Sequence, residues 1–182
     1  KGGGVPEATR LHEAFEGLGI REFVYGALVI QRHDAPRAAF TVRRQRANRS
    51  RREEIAWLLG WETRRATRTD AAWLLDARPV ASPDLELRVV HRLVEGALTP
   101  VAYTLQTEYP FSMESAVAPW MAALVARCDG VATGREHYHD LREQGAFPAG
   151  VSEAEFGRLL ATLVSGGFIE IPGLTLPRDG SS

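Results

Sequence analysis

Hydrophobic and polar positions change period several times along the chain, and each change marks an element. Over residues 7–18, Leu11, Phe15 and Leu18 recur at spacings of four and three, one stripe of a helix. Gly19 follows as a left-handed C-cap candidate. The segment "REFVYGALVIQR" then holds an apolar run over residues 23–30, interrupted only by Gly26. A half-exposed strand alternates, and this one does not, so it reads as a strand covered on both faces. "HDAPR" is a turn and "AAFTVRRQ" a second strand, with residues 22–32 and 38–45 expected to pair as an antiparallel hairpin.

The period becomes helical again in "SRREEIAWLLG", where Ser50 and Glu53 have capping-box spacing and Ile55, Leu58 and Leu59 form a narrow apolar face. "TDAAWLLDARP" predicts a second short helix, stopped by Pro79. From about residue 83 the alternation is that of strands. Leu85, Leu87, Val89 and His91 alternate with Glu86, Arg88 and Val90, Glu95-Gly96 marks a turn, and Val101, Tyr103 and Leu105 alternate on the return. "FSMESAV" is a third short strand after Pro110.

The last third predicts three helices. "PWMAALVARCDG" starts at Pro119, a residue suited to the first helical position. "TGREHYHDLREQG" ends at Gly145. "SEAEFGRLLATLVSGG" opens with Ser152 and Glu155 in capping-box spacing and stops at Gly166-Gly167. "FIEI" is a closing strand, so residues 119–171 read as a winged-helix-like unit.

Composition narrows the classes little. The 182 residues are 45% hydrophobic and 25% charged, ordinary globular material, and the formal net charge of −1 selects no anionic partner by global field. The single cysteine, Cys128, excludes an internal disulfide framework and suits a reducing, cytoplasmic setting. No run of about 18 apolar residues is present, so neither a spanning helix nor a membrane partner is expected. The chain opens with Lys1 and the linker-like "KGGGVPEATR", which implies a piece of a longer polypeptide.

The order of these parts resembles a known family. A helix ending in Gly, then "REFVYGALVIQRH" and a hairpin, is similar to the last helix and late strands of class I S-adenosylmethionine-dependent methyltransferases. The remainder resembles the C-terminal extension of a bacterial subgroup with a "small" methyltransferase domain. The resemblance implies α/β plus α+β: residues 1–48 as the edge of a Rossmann-like catalytic sheet, 49–82 as a helical connector, and 83–177 as an α+β accessory domain for substrate or partner recognition. The cofactor of the whole protein would be S-adenosylmethionine, and its catalytic half would lie upstream. The family's cofactor loop, its acidic ribose-binding residue and its Asn/Asp-Pro-Pro-aromatic motif are missing here, and "KGGG" lacks the preceding strand that such a loop requires. No catalytic, cofactor-binding or metal residue is therefore assigned, and this stretch alone is expected to be inactive.

Other candidates come from side-chain chemistry. Arg43, Arg44, Arg46, Arg49, Arg51 and Arg52 lie within ten residues, with Arg64, Arg65 and Arg68 close behind, and could contact the phosphates of RNA or DNA. Trp57 and Trp61, four apart on one helix face, could stack bases beside them. The competing readings are a solvated surface in a chain with 21 arginines to one lysine, and tryptophans packed in the core. "HYHD", residues 137–140, has the wrong spacing for a helical zinc pair, because positions two apart fall on different faces. Cys128 sits at a helix end and reads as structural, and Ser112 and Ser115 lack a nucleophile-elbow pattern. The alternative to the methyltransferase reading is a non-enzymatic module for peptide or nucleic acid. A weak similarity to small PqqD-like units, which pair a bound peptide with an edge strand, favours peptide.

Overall fold

The computed structural model describes residues 13, 17, 52–68, 70–148 and 150–174. The chain divides into two compact units, Lys1–Arg37 and Ala38–Ser182. In the first, Glu13 and Gly17 are helical, in the span where the sequence predicts a helix. The hairpin expected over residues 22–45 and the Ser50–Glu53 cap lie outside the described residues.

Among the described residues the second unit is α+β, with four α-helices and two small antiparallel sheets. Helix α1 spans Arg52–Ala66, six residues beyond the predicted stretch. The predicted short helix that follows is a 3-10 helix, Ala72–Leu75, opened by Asp70, whose Oδ1 accepts the Ala72 N–H at 3.0 Å. It stays short because only Leu74 and Leu75 anchor it in the core before Pro79 arrives.

Strand β1, Val80–Ala81, pairs antiparallel with β5, Ile169–Glu170, at the end of the chain's described part. The second sheet has the order β2-β3-β4, from Glu86–Val94, Ala97–Thr107 and Met113–Val117. Its first turn is Glu95-Gly96, with φ of 49° and 84°. Positive φ at both central residues makes it a type I′ turn, whose twist matches the flanking strands. Between Val90 and His91 the register shifts: Val90 faces Ala102 and His91 faces Pro100, so Val101 is the extra residue of a β-bulge on β3.

Helices α2 (Pro119–Arg127), α3 (Gly134–Glu143) and α4 (Glu153–Ser165) fall where the sequence places them. Pro119 occupies the first turn of α2, where the missing N–H costs nothing. Both Thr133–Glu136 and Ser152–Glu155 form complete capping boxes. Gly134 is required by close approach. A Cβ there would lie 2.6 Å from the Leu74 carbonyl oxygen and 2.7 Å from Leu160 Cδ1.

One core joins these parts. Trp57 and Trp61 of α1 meet Leu74, Leu105, Phe111, Leu124, Phe156, Leu160 and Ile169, all buried. Tyr138, Phe147 and Phe156 form a ring triangle with centroids 5.4–5.6 Å apart. Burying each such side chain contributes about 1.5–3 kcal/mol. No helix of the described residues is long and apolar enough to cross a membrane.

Candidate functional site

The tryptophans proposed to stack bases do not face solvent. Trp57 is 1% and Trp61 0% exposed. Trp57 lies edge-on to Phe111 at 6.1 Å. Trp61 donates its indole N–H to Ser165 Oγ at 2.9 Å, with Trp73 6.1 Å away. Their shared face is the core face of α1, and that corrects the stacking expectation, since no ring face is left for a base. Arg43, Arg44, Arg46, Arg49 and Arg51, and the side chain of Arg52, lie outside the described residues. The neighbouring arginines are engaged within the fold. Arg64 donates to the Gly173 carbonyl at 3.1 Å, Arg65 pairs with Glu62 at 3.2 Å, and the Arg68 guanidinium lies 4.6 Å from the Trp73 ring centre.

The titratable candidates are separated from one another. His137 is buried, and burial lowers its pKa against the opposing pull of Asp129, Asp140 and Glu136. His139 is exposed and 3.8 Å from Glu153. Among the described residues no three His, Cys, Asp or Glu side chains gather as metal ligands. The Cys128 thiol is pushed up to about 12, first by burial and then by Asp129, so it is protonated and inert. Ser112 donates to the Glu108 carboxylate at 3.2 Å and Ser115 to the Ala116 carbonyl.

An open groove of about 580 Å³ lies beside Tyr138, Arg142, Phe147, Pro148, Val151 and Glu153. Its polar groups have partners in the fold. Arg142 donates to Tyr138 Oη at 3.2 Å, and that hydroxyl donates to the Val151 carbonyl at 3.1 Å. Glu153 is paired with Arg135, which also reaches Asp76. The first turn of α4 is closed by its own capping box and carries Glu153 and Glu155, which disfavour an anion there. The groove thus presents little unmet binding chemistry.

The β2–β3 hairpin is different. Every residue from Val90 to Ala102 is exposed, on both strands and both faces. At about 3.3 Å per residue, positions 90–94 make an arm of about 15 Å. Val90 (55%), Leu93 (69%) and Leu98 (72%) are exposed, as are Leu87, Val94 and Val101. Leu93 and Leu98 are register partners, and Leu87 and Val89 continue their row toward Leu105 in the core. Strand β2 is also an edge, paired on one side only among the described residues. Alternation alone locates the strands but not where the core ends. The available signal is apolar residues at both parities of one strand, Leu87, Val89 and Leu93 against Val90 and Val94.

No protein-family model matches the chain, and no curated protein matches it.

Proposed function

We propose that residues 52–174 are a recognition region, not a catalytic centre, and that they form the accessory part of a cytoplasmic S-adenosylmethionine-dependent methyltransferase. The observation that carries recognition is the arm, a long hairpin whose apolar residues stand in water at the end of a well-packed unit. Contiguous exposed apolar surface of this kind is characteristic of interaction sites. The methyltransferase part rests on the order of elements, a resemblance that spans about residues 10–171. In that frame residues 1–48 close a Rossmann-like sheet, residues 119–171 are its winged-helix-like end, and the cofactor loop lies upstream. Protein or peptide surfaces fit the arm better than nucleic acid, because Arg64, Arg65 and Arg68 are engaged within the fold and Trp57 and Trp61 are buried.

The test is a calorimetric titration with S-adenosylmethionine, run on the 182-residue chain and on the polypeptide extended upstream of Lys1. The expected result is binding by the extended polypeptide only, with a strand and Gly-rich loop in the added sequence. Micromolar binding by the 182-residue chain, or an upstream frame without that loop, defeats the methyltransferase reading.

A further inference from the structure

Native edge strands are normally blunted by proline, bulges, shortness or charged side chains, and β2 carries only the last of these, in Glu86, Arg88 and Arg92. The two edges of the arm are treated differently. Strand β4 covers β3 only from Tyr103 to Thr107, so among the described residues the outer edge of β3 in the arm is open. That edge carries Pro100, which has no N–H, and the bulge at Val101. The β2 edge has nine residues, Glu86–Val94, without proline and without an extra residue. It is left competent to pair.

Its sequence is also self-complementary in one register that uses most of the strand; an axis at Leu87 sets Glu86 against Arg88 but pairs only residues 86–88. A two-fold axis normal to the sheet keeps each residue on its own face. With the axis at Val89, Glu86 stands opposite the partner's Arg92 and Leu87 opposite the partner's His91. Moving the axis to Arg88 sets Arg88 against its own copy. Moving it to Val90 sets Arg88 against Arg92. Like charges directly opposite are destabilising, so both neighbouring registers are disfavoured. An axis at His91 leaves Glu86 without a strand residue to face. The Val89 register also places Leu93 opposite the partner's Leu85, which packs against the core. Leu93, at the exposed tip of β2, would thereby reach apolar surface at the base of the other hairpin.

Taking the arm as the recognition surface argued above, we infer that its partner is a second copy of this chain. Strand β2 pairs antiparallel with its copy about Val89 and joins two three-stranded sheets into one of six strands, closed by two symmetric Glu86–Arg92 pairs. Isologous pairing of this kind terminates at the dimer, because each β2 edge is used once.

Sedimentation equilibrium of the full 182-residue chain tests this with charge reversals. Glu86→Arg and Arg92→Glu each replace two attractions by two repulsions and should weaken dimerisation by roughly tenfold. The Glu86→Arg/Arg92→Glu double variant should restore it. Both positions are exposed, and circular dichroism confirms that each variant folds. A wild-type chain that stays monomeric at every concentration overturns the inference and assigns the arm to a different protein or to another part of a longer polypeptide. Well-folded variants that dimerise like wild type, or a double variant without rescue, overturn it too. None of these outcomes bears on cofactor binding by the extended polypeptide, so the two readings fail separately.

Discussion

Trp61 separates a core role from a surface role. It is fully buried and spends its only polar group on Ser165, 104 residues away in sequence. Truncating such a side chain to alanine removes its transfer free energy and leaves a cavity, about 3–5 kcal/mol together. A domain of ordinary stability has about 5–15 kcal/mol in all, so Trp61→Ala should consume a large share of it. With a urea slope of about 2 kcal/mol/M, the midpoint falls by about 2 M. Ser165→Ala leaves the indole N–H buried without its acceptor and should cost about 1–3 kcal/mol. The pair Trp61→Phe and Ser165→Ala then forms a double-mutant cycle, in which a coupling of about 1 kcal/mol measures the hydrogen bond. The assay is urea unfolding followed by far-ultraviolet circular dichroism, which does not depend on the mutated fluorophore. A Trp61→Ala midpoint within 0.5 M of wild type, an order of magnitude set by the same slope at about 1 kcal/mol, would refute core placement.

Cys128, its thiol raised to about 12, should react with Ellman's reagent only after denaturation, and rapid stoichiometric labelling of the native protein would contradict its burial. His137 has a pKa lowered by burial below its ordinary 6.5, so the unfolded state binds more protons. Its contribution is complete above about pH 6.5 and is lost as pH falls through the lower folded value, so urea midpoints should drop on acidification from pH 7.5. His137→Asn should flatten that part of the profile. Glu136 and Glu155, held below the usual carboxylate range by hydrogen bonds from the backbone N–H and hydroxyl of Thr133 and Ser152, act in a separate window below about pH 4.5.

The sequence carries the helical third of the fold well because its punctuation is local. Pro119, Ser152 with Glu155, and the Gly166-Gly167 stop each act within one turn, and each is found at the terminus it marks. The Glu95-Gly96 turn is legible for the same reason, and it fixes the register back to His91–Pro100, beyond which the Val101 bulge shifts it. Long-range choices are not written locally. Val80–Ala81 has no readable period at two residues, and it is a strand because Ile169–Glu170 returns beside it. The spacing of Trp57 and Trp61 shows that they share a face, but only Phe111 and Ser165 reveal which face it is. The arm was half legible. Its pairing follows from alternation, whereas its solvent exposure depends on β4 ending at Val117, opposite Tyr103, so that nothing flanks β3 beyond that point among the described residues.

Amide hydrogen exchange as a function of protein concentration tests the central claim, that the β2 edge is the recognition surface and a second copy occupies it. The outward amides of an unpaired edge exchange nearly freely, and strand pairing protects every second one. Protection should therefore rise with concentration over residues 86–92, while β4, the opposite edge, stays unchanged. Exchange in β2 that is independent of concentration, or protection that rises equally in β4, would contradict the account.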